Sequence, residues 1–348
     1  MPDLPPSTLR LRIDAEALAR NWRTLDRLSG TAAAGAAVKA NAYGVGVDQV
    51  APVLRAAGAR DFFVAHWSEA PALIAHVPAS AVAVLHGPLS AADAAFARDA
   101  GVRPVINSLH QAQVWRESGG GRCDLMVDTG INRLGLPPAA LREPVIAALE
   151  IDTLHSHLAS ADEDVSQNAR QLALFKQVAA QVPALRRSLA NSAGIALGTR
   201  YAFDLTRPGL ALYGGIPRPE LAGQIRQVAY PQAQVLQLRD LSPGDQVGYN
   251  ALFTAERAMR TATVSLGYAD GFLRCWTGRW ALGSGEARLP LLGRVSMDMV
   301  VVDATATPDL REGDWLDLPY ALPEGADQCG LSQYELLTLL GKRFARTL

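Results

Sequence analysis

Between residues 34 and 213 the chain alternates short apolar runs with segments of helical spacing, and no other feature constrains its fold as tightly. The runs are AGAAVK at 34–39, DFFVAH at 61–66, AVAVLH at 81–86, VRPVIN at 102–107, CDLMVD at 123–128, IDTLHSHL at 151–158, SLANS at 188–192 and GLALY at 209–213. Segments near 68–76, 91–100, 109–118, 137–149 and 163–182 separate most of them with helical periodicity. Strand followed by helix, repeated, builds a parallel sheet, and eight repeats is the number at which such a sheet closes. An open doubly wound sheet is the rival, but no GxGxxG follows the first run. The expected class is α/β, a (β/α)8 TIM-type barrel.

Most of the runs end in a residue able to do chemistry: Lys39, His66, His86, Asn107, Asp128, His157 and Ser192. One such residue is ordinarily the cap of the following helix. Seven in register converge on a single barrel mouth, the face where active sites sit in this architecture.

From about residue 222 the pattern changes to short strands every 8–12 residues, with turn signals at SPGD, YADG, TGRW, GSGE and REGD. This predicts a C-terminal mostly-β domain closed by one late helix near 332–341. A chain of 348 residues exceeds what one core usually fills, so two domains are expected, 8–221 and 222–348. Residues 14–29 read as an amphipathic helix, with Asp14 as N-cap and Gly30 as its stop. LRLRI at 9–13 is an isolated strand with no barrel role, free to pair with the C-terminal sheet.

Composition removes several classes of partner. A formal net charge of −1 lacks the basic footprint of a nucleic-acid binder or a polybasic membrane protein. No stretch approaches the roughly 20 apolar residues of a membrane span, and the N-terminus MPDLPPSTLRLRID has no apolar signal core, so a cytoplasmic protein is expected. Cys123, Cys275 and Cys329 are far apart and form no CxxC, which suggests neither a disulfide framework nor a zinc site, and no metal is expected. The remaining partners are a small molecule and another subunit.

Of the 33 basic residues only Lys39, Lys176 and Lys342 are lysines. Lys176, in QLALFKQVAA, suits the wet face of a helix, and Lys342 lies beside Arg343. Lys39 differs, because period-two alternation puts Gly35, Ala37 and Lys39 on one strand face, where small residues leave room for a long amine. Desolvation there lowers a lysine pKa and makes it a nucleophile toward aldehydes. A structural lysine paired with a carboxylate such as Asp128 is the other reading.

AVKANAYGVG at 37–46 resembles the pyridoxal-phosphate lysine motif of alanine racemases. Further similarities to that family are DTGINRLG at 128–135, HSHLASADE at 155–163, NSAG at 191–194, RPGLALYG at 207–214, GYADGF at 267–272 and GRVSMDMV at 293–300. The resemblance runs along the whole chain and implies a fold-type III enzyme with pyridoxal 5′-phosphate as cofactor. In such a barrel, phosphate sits by the loops after strands seven and eight. Ser192, Gly209 and Leu210 fall there, and the resemblance adds the Tyr43 phenol. It also implies that Arg207 faces the pyridine nitrogen with His157 in support. An arginine keeps its proton, leaving that nitrogen neutral.

Racemisation removes a proton from one face of Cα and returns one on the other, which calls for two acid/base groups. The resemblance implies Lys39 for the D-isomer and Tyr268 for the L-isomer, with Arg133 and the Met297 backbone N–H on the substrate carboxylate. It also implies interconversion of L- and D-alanine, the latter for cell-wall peptidoglycan, in a head-to-tail homodimer with shared sites. A racemase of serine or another small amino acid, a fold-type III decarboxylase and a noncatalytic cofactor carrier are the rivals; residues 222–348 and Tyr268 argue against the last. The sequence departs from the family in three places. Met126 stands where many members have a lysine that orients the arginine, Val45 stands where the AYGHG form common in the family has histidine, and GKRFARTL lacks a tyrosine often found near the phosphate, with Lys342 nearby.

Overall fold

The computed structural model describes residues 5–348, which group into two compact units: Glu16–Arg226, and the chain up to Ala15 together with Gln227–Leu348. The first unit is built on a curled parallel sheet of seven strands. Preceded by the strand β1 (Leu9–Ile13) and by β2 (Ala33–Ala34), the seven are β3 (Ala36–Ala37), β4 (Phe62–Val64), β5 (Val82–Val84), β6 (Arg103–Ile106), β7 (Arg122–Met126), β8 (Glu150–His155) and β9 (Arg186–Ser188), in that spatial order. A separate parallel pair joins β10 (Leu205–Thr206) to β2. Phe62, Phe63, Val64 and the β5 residues Val82–Val84 are buried on both faces, as a parallel sheet covered by helices requires.

The helices form where capping and periodicity agree. Ala15–Leu28 buries Leu18, Trp22 and Leu25, spaced three and four apart on one face. Ala91–Ala100 starts at Ser90, whose hydroxyl accepts the Asp93 N–H while the Asp93 carboxylate accepts the Ser90 N–H at 3.0 Å. Ser108 caps Leu109–Glu117 by accepting the Gln111 N–H at 3.1 Å.

Two of the expected runs are displaced. The seventh strand occupies 186–188, upstream of most of SLANS, because Asn191 accepts the Gly194 N–H and starts a short helix at Ser192. GLALY is not a strand: Leu210–Tyr213 is a 3-10 turn, and the strand of that repeat is the upstream pair Leu205–Thr206. The segment 137–149 is likewise two short turns of helix, Pro138–Arg142 and Pro144–Ala147, each opened by a proline.

The second unit is an antiparallel barrel. Its strands are β11 (Ala229–Leu241), β12 (Gln246–Val247), β13 (Phe253–Thr254), β14 (Met259–Val264), β15 (Ala281–Ser284), β16 (Ala287–Leu292), β17 (Val300–Asp303), β18 (Trp315–Asp317) and β19 (Ala345–Thr347). The order β14-β17-β16-β15-β18-β11 returns to β14, so six strands close a ring. β11 makes closure possible: its first half pairs with β18, its second half with β14, and a register shift between Val235 and Gln237 bends it between the two. β1 pairs antiparallel with β11 and parallel with β19. Ala262, Val264, Leu282, Leu289, Val302 and Leu316 fill the interior. Two helices stand near the C-terminus instead of the one expected: Leu322–Cys329 and Gln333–Thr338, the second capped by Ser332 and Glu335.

Candidate active site

Lys39 follows β3 at the C-terminal edge of the parallel sheet and is half-buried, whereas Lys176 and Lys342 are exposed. Strand alternation stops before it. Ala40, Asn41, Ala42 and Tyr43 all have φ between 53° and 55°, a turn of left-handed helix made without glycine. That conformation costs about 1–2 kcal/mol per L residue. Burial lowers the Lys39 pKa, Arg133 and Arg207 lower it further, and Glu69 opposes them. The anion facing Lys39 is therefore Glu69. Asp128, the partner offered by the structural reading, is engaged in its own loop, where Oδ1 accepts the Gly130 and Ile131 N–H groups at 2.7 and 2.9 Å.

The left-handed turn carries Tyr43 inward, onto the loop that follows β10. Its ring lies 5.0 Å from the ring of Tyr213, whose hydroxyl donates to Ala37 O at 2.8 Å. A Cβ on residue 209 would lie 2.2 Å from the Tyr43 hydroxyl, so Gly209 is the residue this packing admits. The Ser192 hydroxyl oxygen accepts the Gly209 N–H at 2.9 Å and the Ala211 N–H at 3.2 Å. Four positions expected at the phosphate, Tyr43, Ser192, Gly209 and Leu210, thus meet at one place. A phenol and a hydroxyl that meet beside Gly209 suit a phosphate, and a desolvated lysine in the same unit suits an aldehyde.

Arg207 is buried and its guanidinium is held on three sides. It donates to the Ser188 hydroxyl, to Ser156 O at 2.6 Å and to His155 Nδ1 at 3.2 Å. Arginine only donates, so His155 Nδ1 is the acceptor and its proton is on Nε2, which faces Asp124 Oδ2 at 3.1 Å. Burial opposes the charge on Asp124, but the His155 hydrogen bond and the charges of Arg103 and Arg186 outweigh it and hold the carboxyl below its usual range. Arg103 continues the chain to Asp61, which Arg186 engages with two hydrogen bonds of 2.8 and 2.9 Å. Burial pulls the Arg207 pKa down to about 10, so it remains charged at neutral pH.

The hydrogen-bonding histidine on Arg207 is therefore His155, two residues before the expected His157. Their i, i+2 spacing gives both the same strand parity, which is why sequence did not separate them. His157 lies in the same field: burial, with Arg207, Arg133 and Lys39, holds its pKa down to about 3, so the ring is neutral. Arg133 projects from an exposed loop pinned at its base by Asp128 N–H to Leu136 O and Leu136 N–H to Met126 O, each 2.9 Å. Met126 itself is buried. Among the other run-end residues, Asn107 is spent on structure, donating to Leu85 O and Val105 O. His66 and His86 stack edge to face with centroids 4.3 Å apart. Glu69, Asp124, His155 and Ser188 were not singled out by sequence reasoning; Glu69 lies in the segment near 68–76 read only as helical, where it closes a cap box with His66.

In the second unit the structure brings Tyr268 and Met297 together. The Tyr268 N–H donates to Ser296 O and the Ala269 N–H to Met297 O, both at 3.0 Å. A Cβ on Gly267 would lie 2.1 Å from Met297 O, so the glycine of GYADG is needed for this approach. The Arg274 guanidinium lies 5.2 Å from the Tyr268 ring centroid. Asp270 braces the loop from beneath, accepting the Gly267 N–H at 2.9 Å and pairing with Arg343 at 2.6 Å. Met297 is 52% exposed, so it stands outside the core of this unit. Among the described residues no cluster of three His, Cys, Asp or Glu side chains could hold a metal, and no helix is long and apolar enough to cross a membrane.

Comparison with known proteins gives the family. The model of the alanine racemase N-terminal domain matches residues 13–217, and that of the C-terminal domain matches residues 228–348. The alanine racemase of Methylobacterium sp. (strain 4-46) is 43% identical over 98% of each chain, and the biosynthetic alanine racemase of Agrobacterium fabrum is 40% identical over 97% of this chain and 93% of its own. Alanine racemase from Bartonella henselae, solved with covalently bound pyridoxal phosphate, superposes with a TM-score of 0.90 at 38% identity, covering 98% of this chain and 99% of that one. The biosynthetic enzyme of Pseudomonas aeruginosa gives 0.87 at 33% identity, over 97% and 98%. The chain belongs to the alanine racemase family.

Proposed function

We propose that this protein is a pyridoxal-phosphate-dependent alanine racemase that interconverts L- and D-alanine, using Lys39 and Tyr268 as its two acid/base residues. The observation that carries the reading is the meeting of Tyr43, Gly209 and Ser192 in the unit that holds the desolvated Lys39: the Tyr43 phenol takes the space a side chain at 209 would need, and the Ser192 hydroxyl holds the loop that Gly209 opens. Tyr43, Ser192, Gly209 and Leu210 would hold the phosphate, and Arg207 with His157 would face the ring. Bound there, pyridoxal phosphate supplies an aldehyde for the substrate amine and a conjugated ring that spreads the charge left at Cα.

The chain's own residues do the rest. Lys39, its pKa lowered by burial and by two arginines, accepts or returns the Cα proton on one face. Tyr268 serves the opposite face and is the base for L-alanine. Arg133 and the Met297 N–H orient the substrate carboxylate. Arg207 keeps its charge toward the ring nitrogen without surrendering its proton, and the His155–Asp124 pair fixes its guanidinium.

The same reading assigns residues 8–221 to cofactor binding and 222–348 to the β-domain. It treats β10, continued through Arg207 and Pro208, as the eighth stave of a (β/α)8 barrel, a view supported by Gly35 N–H to Thr206 O and Ala37 N–H to Pro208 O at 2.9 Å, and by Arg207 N–H to Ala190 O at 2.8 Å. It also assigns the protein to the cytoplasm, in a head-to-tail homodimer in which each site takes Lys39 from one chain and Tyr268 from the other. Chiral chromatography of incubations with individual L-amino acids tests the activity. Alanine should be racemised fastest; faster conversion of serine, or release of carbon dioxide, would overturn the substrate or reaction assignment.

A further inference from the structure

Four successive non-glycine residues in the left-handed region persist only where neighbouring contacts over-determine them. Within the turn, Ala42 N–H donates to Val38 O at 2.8 Å and Gly44 N–H to Ala40 O at 2.9 Å. Asn41 Oδ1 accepts the Val47 N–H at 2.8 Å and closes its far end. The near end, next to Lys39, is held from outside: the Ala40 N–H donates to Glu69 Oε1 across 29 residues of sequence.

Glu69 also caps its own turn, since Oε2 accepts the Ala65 and His66 N–H groups at 2.8 and 3.0 Å. Capping alone does not need a glutamate. At Asp93 the shorter aspartate accepts the Leu89 and Ser90 N–H groups at 2.9 and 3.0 Å, and Asp270 accepts the Gly267 N–H at 2.9 Å. The extra methylene of Glu69 is what lets its second oxygen reach Ala40.

We infer that Glu69 is a positioning residue for the racemisation: its carboxylate bridges the start of the 67–74 helical segment and the first peptide of the left-handed turn, and so fixes the direction in which Lys39 leaves the sheet. The same carboxylate is the negative charge that offsets burial and Arg133 around the lysine amine. This role rests on Lys39 being the lysine that carries the cofactor.

Glu69→Asp separates clamp from cap, because an aspartate at this position can keep the Ala65 and His66 contacts and cannot reach Ala40. In the full-length enzyme, amide hydrogen exchange at Ala40 should quicken roughly tenfold or more, as loss of a charged hydrogen bond implies, while the amides of β4 and of 70–74 stay within about twofold. kcat should fall roughly tenfold with KM changed less than about twofold. Glu69→Gln, which retains one accepting oxygen, should fall between wild type and Glu69→Asp. Uniformly faster exchange through β4 and 70–74 would make Glu69 a general stabiliser and overturn the inference, as would Ala40 exchange and kcat at wild-type values in Glu69→Asp. Should that variant not fold, an Ala40 amide that exchanges freely in the wild type would also overturn it, and a protected one would support it. Borohydride labelling of the wild type distinguishes the two readings: label on Lys176 or Lys342 removes the assignment of Lys39 and this role with it, whereas label on Lys39 with Ala40 unaffected by Glu69→Asp removes this role alone.

Discussion

The Tyr43 hydroxyl lies 2.2 Å from the point where a side chain on residue 209 would begin, so Tyr43 and Gly209 share one space. Gly209 has a negative φ of −132°, so the requirement is for room and not for backbone freedom. Gly209→Ala should therefore displace the Tyr43 ring, destabilise the fold by about 1–3 kcal/mol as overpacking does, and weaken pyridoxal-phosphate binding at least about tenfold. Tyr43→Phe should relieve part of the clash, so the double variant should lose less than the sum of the two single losses. Absorbance titration with the cofactor and urea unfolding measure both; strict additivity would mean that the two residues do not compete.

Tyr268→Phe should reduce L-to-D turnover by about 10²–10⁴-fold, the usual range for loss of a general acid/base, while leaving cofactor affinity nearly unchanged. The phenyl ring retains the face over which Arg274 lies, so stability should hardly move. Exchange of the D-alanine Cα proton with solvent should partly survive through Lys39. Equal loss of exchange from both isomers, read by proton NMR in deuterium oxide, would contradict a two-base assignment.

His157 supplies a pH dependence with a definite sign. Its native pKa of about 3 lies below the ordinary value of 6.5, so between those values the unfolded chain takes up a proton that the native protein does not. Its contribution to stability is complete above pH 6.5 and is lost as pH falls through that window, with a slope of at most about 1.4 kcal/mol per pH unit. Removing the titration with His157→Asn should flatten the stability curve of the cofactor-free protein between about pH 6.5 and pH 5, where few carboxylates yet titrate. Urea unfolding of both proteins across that range checks it, and parallel curves would show that His157 is not held neutral.

These candidate positions were legible because apolar runs in a parallel sheet stop near its C-terminal edge, and Lys39, His157 and Ser192 lie within a few residues of where β3, β8 and β9 end. What stayed hidden has physical reasons. In KANAY only Asn41 tolerates positive φ readily, and then as a single residue, so a left-handed turn of four residues at 40–43 is imposed by tertiary contacts. Glu69 reaches Ala40 across 29 residues and looks, in sequence, like any third residue of a cap. His155 and His157 have the same strand parity, and only the position of Asp124 on the adjacent strand β7 decides which of them holds Arg207. The displaced seventh and eighth strands share a cause: SLANS and GLALY are apolar because they are buried, but Asn191 and Gly209 turn both into capped loops.

The dimer proposal yields a complementation test. Lys39 and Tyr268 lie in different compact units, and the family resemblance has the second unit serve the partner's site. Lys39→Ala and Tyr268→Phe homodimers should each be inactive. When they are mixed under conditions that permit subunit exchange, half of the dimers should contain one chain of each kind, with both lesions gathered in one site and the other site intact. Activity should then return to on the order of a quarter of wild type, by the symmetry of a twofold assembly. If each chain builds its own site, every site in the mixture carries a lesion and nothing returns. Subunit exchange confirmed by mass spectrometry of differently tagged chains, without recovered turnover, would place Lys39 and Tyr268 of one site in a single chain.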